Sequence, residues 1–231
     1  MTDRPSEPVQ AHCVSRCARV VVTRRVAPRL RDRLWALYEA AFASIEGKAL
    51  GTQMLAKPAF DALVDHPDTF KFIGFDAGQP AGMILLVDRL ELAPGVSRRF
   101  FAEQFPAQTE RDAAFYGVFA FVAPGSTRLR LYSGLLTAAA QLAASRDGVI
   151  VLDMSRHLEA AGQVRLIERA VRGFPGVTVA EVDAQLFYAV TLPATSERDT
   201  GFDPNAVDVL IDLEESDLGS DLEAEADRDR V

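Results

Sequence analysis

No apolar run in this sequence approaches the roughly 20 residues that a helix needs to cross a bilayer. The opening M-T-D-R-P-S-E-P also lacks the apolar stretch of a signal peptide. Both absences point to a cytoplasmic protein with no membrane partner. Cysteine is scarce: Cys13 and Cys17 stand four apart beside His12, with no second pair to complete a tetrahedral site. They read as reduced thiols, and no metal site is expected. There is no internal repeat and no single-signed charge over the body of the chain.

The chain has 231 residues, nearly half of them apolar, which suits one domain with a sizeable core and a tail. Its net charge of −8 is unevenly placed. Residues 197–231 hold 13 acids and 3 bases, a net of −10, which leaves 20 acids and 22 bases elsewhere, a net of +2. Residues 1–35 carry eight arginines against three acids, but a nearly neutral body does not suggest a nucleic-acid partner. The boundaries expected are a flexible arm over 1–17, a domain over 18–192 and an acidic tail over 193–231.

Hydrophobic periodicity assigns the elements. Ala18 to Thr23 is a β-branched run of strand length. Pro28 then opens a helix whose stripe runs Leu30, Leu34, Leu37, Tyr38, Ala41, Phe42, Ile45. A short helix over Ala59 to Asp65 stops at His66-Pro67, because the residue before proline is driven out of the α region. Phe70 to Phe75 and Ala81 to Val87, separated by D-A-G-Q-P, form a hairpin. Leu90 to Arg111 holds one helical turn or two and covers one end of the sheet. Ala113 to Val122 is apolar on both parities, as in a strand buried on both faces, and Gly117 within it marks a bulge or a close backbone approach. A long helix follows, with Leu129, Tyr132, Leu135, Leu136, Ala139, Leu142 and Ala143 as its stripe. Then come a buried strand over Val149 to Met154, a helix over Gln163 to Arg172, and a β segment over Val177 to Leu192, as two strands or as one with a bulge.

Between Val122 and Leu136 the sequence reads V-A-P-G-S-T-R-L-R-L-Y-S-G-L-L. With G-F after the last helix and D-A-Q-L-F-Y on the last β segment, it resembles the GNAT acyl-CoA acyltransferases over about residues 18 to 192. The resemblance implies an α/β fold, with a central mixed sheet flanked by helices, in which two parallel strands splay to admit an acyl thioester. It further implies a strand ending in V-x-P and a Q/R-x-x-G-x-G/A loop whose amides cradle the pyrophosphate. Glycine matters there because close backbone approach and positive φ are cheap only without a Cβ. Here Val122 matches the strand end, Thr127 stands where Gln or Arg is expected, and Arg130 and Tyr132 replace the two glycines. The tyrosine that protonates the leaving thiolate in that family falls at Arg169. The resemblance therefore implies a degenerate acyl-CoA site, with no required cofactor. Against this, Arg128 and Arg130 at a helix start could clamp phosphate by their side chains, which would make acetyl-CoA or another acyl-CoA a substrate; otherwise they are solvent-facing arginines.

If the chain is an enzyme, its catalytic candidates lie at the carboxyl ends of the central strands. Asp153 with His157 could form an acid/base pair, or Asp153 could satisfy a helix N-terminus. Tyr116 could hydrogen-bond an acyl carbonyl, or fill the core with its hydroxyl at the rim. Glu91 and Glu103 default to solvated surface and His66 to capping or exposure. Asp183 and Gln185 could orient a ligand or satisfy a bulge.

In the tail, Val207, Val209, Leu210, Ile211 and Leu213 form an apolar core flanked by acids. That pattern suits strand addition to a protein partner's sheet edge, with the charges steering toward a basic surface. Spaced leucines could instead make an amphipathic helix on binding, and the whole segment could be a disordered solubilising tail.

Overall fold

The structure is a computed structural model, and it describes residues 10–13, 18–43, 47–48, 54–93, 95–123, 128–185 and 189, the first four as backbone only. The chain divides into two units, residues 1–184 and 185–231; of the second, only Gln185 and Ala189 are described. The expected docking residues Val207, Val209, Leu210, Ile211 and Leu213 therefore lie outside the described residues, as does most of the acidic tail.

Unit one is built on a mixed sheet of six strands in the order β1-β2-β3-β4-β5-β6. These are β1 (Gln10–Cys13), β2 (Ala18–Thr23), β3 (Thr69–Asp76), β4 (Gln79–Val87), β5 (Ala114–Val122) and β6 (Val149–Leu152). All neighbours are antiparallel except β5 and β6, which are parallel. β3 and β4 meet at Ala77-Gly78, both at positive φ (47° and 79°), the geometry of a two-residue hairpin turn that follows the right-handed twist of its strands.

Among the described residues the unit also holds seven α-helices, α1 (Pro28–Ala43), α2 (Lys57–Asp65), α3 (Arg98–Gln104), α4 (Pro106–Glu110), α5 (Arg128–Ala144), α6 (Arg156–Ala160) and α7 (Gln163–Val171), and one 3-10 turn at Leu90–Leu92. Proline sits at the start of α2 and α4, where its missing N–H has no intrahelical acceptor to lose. The expected stop at His66-Pro67 is observed, with His66 extended (φ −66°, ψ 129°).

The two faces of the sheet carry separate cores. On one face α5 lays Leu131, Leu135, Leu136 and Ala139 on Phe70, Phe72, Ile84 and Phe115. On the other, Leu34 and Tyr38 of α1 and Phe60 of α2 meet Ile73, Leu85, Phe119 and Phe121. Tyr38, Phe60, Phe119 and Phe121 form a ring cluster there, with centroids 5.1 to 6.1 Å apart. Leu129, expected in the buried stripe of α5, is 65% exposed; Leu131, four residues before Leu135, takes the inward position.

Val177 to Leu192 requires a correction. Val177–Gln185 is exposed throughout and pairs with no strand among the described residues, so its alternating pattern has no sheet edge there to take up its backbone groups, while most of 186–192 lies outside the described residues.

Candidate functional site

The site is defined by where the two parallel strands stop pairing. β5 and β6 share four register pairs, Ala114–Val149 through Gly117–Leu152. β5 runs on to Val122 while β6 ends at Leu152, so the second half of β5 has no parallel neighbour among the described residues. On its other side β5 pairs with β4, where the register shifts: Leu86 faces Gly117 and Leu85 faces Phe119. Val118 is the extra residue of a β-bulge, with a register partner on neither side. Since strand side chains alternate with a period of two, one extra residue exchanges the faces. Phe115 packs under α5, whereas Phe119 and Phe121 share the α1 face with Tyr116. Of the two readings for Gly117, the bulge is the observed one: a Cβ there would meet Leu152 Cβ at an ordinary 3.4 Å.

Tyr116 and Asp153 come together at this parting. The Tyr116 hydroxyl donates to Asp153 Oδ1 at 2.6 Å. Its pKa is raised above the usual 10, first by burial, then by this hydrogen bond and the carboxylate's charge. The phenol is thus held as a proton donor beside an exposed carboxylate, a pair able to orient a cationic or polar group brought to the strand ends. His157 is in α6, exposed, and makes no hydrogen bond to Asp153. The arrangement therefore joins Asp153 to Tyr116 rather than to His157. The N-terminus of α6 is capped by Ser155, whose hydroxyl accepts from Leu158 N–H at 3.3 Å, so Asp153 is not its cap.

The expected phosphate site lies at the same end of the sheet, between β5 and α5. Val122 is buried as the last residue of β5, and Thr127 lies outside the described residues. α5 begins at Arg128, so Arg130 and Tyr132 stand inside its first two turns. Arg128 and Arg130 are exposed. Tyr132 is half-buried, packed on the α5 core, and its oxygen accepts a hydrogen bond from Gln163 Nε2 at 3.3 Å. Burial raises its pKa, with the Gln163 bond and the Arg128 charge acting the other way. Arg169, on α7, is exposed.

The remaining candidates have local partners. Glu91 pairs with Arg98 at 3.1 Å and Glu103 with Arg99 at 2.6 Å, both on the surface. His66 Nδ1 accepts from Asp68 N–H at 3.1 Å, and Asp183 accepts from its neighbour Ala184 at 2.8 Å. Among the described residues no group of three or more His, Cys, Asp or Glu is placed to hold a metal, and no helix is long and apolar enough to cross a membrane.

Sequence reasoning missed Lys71. It is fully buried on β3, with its ammonium donating to the carbonyls of Arg24 at 2.7 Å and His66 at 2.5 Å. It ties the β2–α1 connection to the end of α2. The lone lysine inside F-K-F-I-G-F was the available signal, since an apolar strand rarely buries a charge without built-in acceptors.

No family model matches the sequence, and no curated protein does. Among solved structures the chain is similar to an aminoglycoside acetyltransferase from an uncultured soil metagenomic sample, in complex with trehalose. The identity is 12%, over 77% of this chain and 99% of that one, with a TM-score of 0.45. It is also similar to AAC(6')-Iy in complex with a bisubstrate analogue, at 18% identity over 75% and 99% with a TM-score of 0.44. A third is the ribosomal-protein-alanine N-acetyltransferase from Brucella melitensis biovar Abortus 2308, at 15% over 75% and 99% with a TM-score of 0.39. The chain's own element order, with a mixed sheet whose two parallel strands part beside a bulge, is the GNAT-like α/β fold that the sequence resemblance implies.

Proposed function

We propose that this chain is a binding or regulatory module on an acyltransferase-like fold, non-catalytic and without a required cofactor, whose acidic tail recruits a protein partner in the cytoplasm. The observation that carries this reading is Tyr132. It stands where the phosphate loop would need a glycine, it is already within α5, and its ring packs into the core with its oxygen bonded to Gln163. A pyrophosphate approaching that turn would meet a side chain instead of open amides. Docking would run through Val207, Val209, Leu210, Ile211 and Leu213, with the flanking acids drawing the segment to a basic surface. Calorimetric titration with CoA and acetyl-CoA tests the first half of this reading. No binding up to millimolar ligand is expected; micromolar binding would overturn it.

A second reading has its own support in the Tyr116–Asp153 pair at the parting of β5 and β6. In an active acyl-CoA N-acyltransferase, Asp153 would orient and deprotonate an amine, and the bulge at Val118 would supply an N–H to the developing oxyanion. Arg128 and Arg130 would hold the phosphates. On this reading the Arg128→Ala, Arg130→Ala double variant loses CoA binding, and binding that persists in it sinks the clamp.

A further inference from the structure

The helical layer formed by α5 and α7 carries charge of one sign. α5 holds Arg128 and Arg130 and no acid. α7 and its C-cap hold Arg165, Arg169 and Arg172 against one acid, Glu168, so the layer has a net of +4 where residues 1–196 together have +2. The three arginines of α7 recur at spacings of four and three, which puts them on one side of the helix over about 10 Å of its length. The opposite side seats Ile167 and Ala170 on the core under α5. The Thr137 hydroxyl of α5 donates to the carbonyl of Ala170 at 3.3 Å, and Gln163 Nε2 donates to the Tyr132 oxygen at 3.3 Å. The second contact sets the N-terminus of α7 beside the first turns of α5, so Arg128 and Arg130 extend the α7 stripe.

All five arginines are exposed, and none makes an ion pair among the described residues. Arg89, Arg98, Arg99 and Arg111, by contrast, each lie on a carboxylate at 2.6 to 3.1 Å. α1 also presents Arg29 and Arg33, but it mixes in Asp32 and Glu39, and Arg33 is bonded to Gln79. The exposed side of α7, Arg165, Glu168, Arg169 and Arg172, has no apolar residue. Protein–protein interfaces concentrate apolar and aromatic anchors at their centre, whereas interfaces with nucleic acid are polar and strongly basic. Guanidinium groups suit phosphate because they hold it through two parallel N–H bonds. No aromatic ring of α5 or α7 is exposed to stack a base, since Tyr132 is half-buried and bonded to Gln163. The layer therefore offers contact to phosphates and not to bases. Acids elsewhere on the chain weigh little, because at physiological ionic strength the field of an exposed charge fades within about 8 Å.

We propose that the exposed arginines of α5 and α7 bind the phosphate backbone of a nucleic-acid duplex, independently of its base sequence. The small net charge of residues 1–196 conceals this surface because, Glu168 apart, the carboxylates that offset it lie on other elements. The inference does not depend on whether the acyl-CoA site is active.

The test is fluorescence anisotropy of short labelled duplexes, one of DNA and one of RNA, titrated with the full chain between about 50 and 200 mM salt. Phosphate contacts by five arginines predict that log K falls against log salt with a slope of about −4.5, unchanged when the base sequence is scrambled. The triple variant Arg165→Gln, Arg169→Gln, Arg172→Gln should reduce that slope by about 3 and weaken binding at the low-salt end at least about tenfold. Its circular dichroism should match the wild type, because the three positions are exposed and glutamine suits a helix nearly as well as arginine. The corresponding triple Arg→Lys variant keeps the charges and should keep the slope. The duplex bound more tightly identifies the kind of nucleic acid met. Three results would each overturn the proposal: no binding by the wild type at low salt, a slope that the glutamine variant leaves unchanged, or displacement by poly-glutamate as effective, charge for charge, as by unlabelled duplex, which marks an acidic protein partner.

Discussion

The Tyr116 hydroxyl lies 2.6 Å from Asp153 Oδ1 and ties β5 to the residue that follows the end of β6. Burial, the hydrogen bond and the carboxylate charge all favour the neutral phenol. The folded-state pKa is therefore raised above the unfolded value near 10. The stability this supplies is complete below pH 10 and is lost as pH rises through the folded value. Asp153→Asn removes the charge but leaves the burial, so the phenol should titrate lower than in the wild type yet still above its ordinary value. Ultraviolet titration of tyrosinate, with Tyr116→Phe to assign the step, reads this out. Tyr116 titrating at its ordinary value in the wild type would contradict it. Tyr116→Phe should cost about 1 kcal/mol or less in urea unfolding, as expected for one half-exposed hydrogen bond.

Lys71 carries the opposite sign. Burial is the main cause of its lowered pKa, pushed down from 10.5 to about 8, with Arg24 adding to it and Asp65 and Asp68 working against it. A depressed lysine sheds its proton in the native state first, so the fold gains stability as pH rises from about 8 toward 10.5. The gain is at most about 3 kcal/mol, and the two carbonyl acceptors reduce it. Urea unfolding at pH 8 and pH 9, below the tyrosine range, should show this rise in the wild type and not in Lys71→Met. Equal slopes in the two proteins would refute the assignment.

What the sequence made legible follows from periodicity and punctuation. The hairpin turn at Ala77-Gly78, the stop of α2 before Pro67 and the bulge beside Gly117 each had a local signal, because each is decided by a backbone preference of one or two residues. Tyr116 and Asp153 were both recognisable as candidates, but their partnership was not. It depends on the register Gly117–Leu152 between strands separated by the whole of α5, which no local pattern encodes. Leu129 was misplaced because the phase of a helical stripe rests on where the helix starts. Val177 to Leu192 has a strand pattern, yet a strand also needs a neighbouring edge, and over Val177–Gln185 none is present among the described residues.

The glycines separate cleanly by what a Cβ would meet. At Gly82 it would lie 2.7 Å from the backbone oxygen of Phe121, which cannot move without disturbing the β4–β5 ladder. At Gly117 its nearest neighbour would be 3.4 Å away. Gly82→Ala should therefore cost about 2 kcal/mol or more, as overpacking does, while Gly117→Ala stays within about 1 kcal/mol. Thermal unfolding of the two variants side by side checks the order. A larger loss at Gly117 would mean that the parting of β5 and β6 is tighter than the backbone geometry indicates.

Tyr132 offers the sharpest test of why a phosphate is excluded. If the obstacle is side-chain bulk in the first turns of α5, then Arg130→Gly with Tyr132→Gly should open amides and space together. CoA binding should then appear by calorimetry where the wild type shows none. Each glycine weakens the helix by roughly 0.5 to 1 kcal/mol, and loss of the Tyr132 ring adds a cavity cost of up to a few kcal/mol. The variant must therefore be shown to unfold cooperatively before it is titrated. Tyr132→Phe keeps the bulk and removes only the long bond from Gln163. It should remain unable to bind, at a stability cost of about 0.5 to 1 kcal/mol. A folded double-glycine variant that still ignores CoA would show that bulk at 130 and 132 is not the obstacle, and the non-catalytic reading would then need a different physical basis.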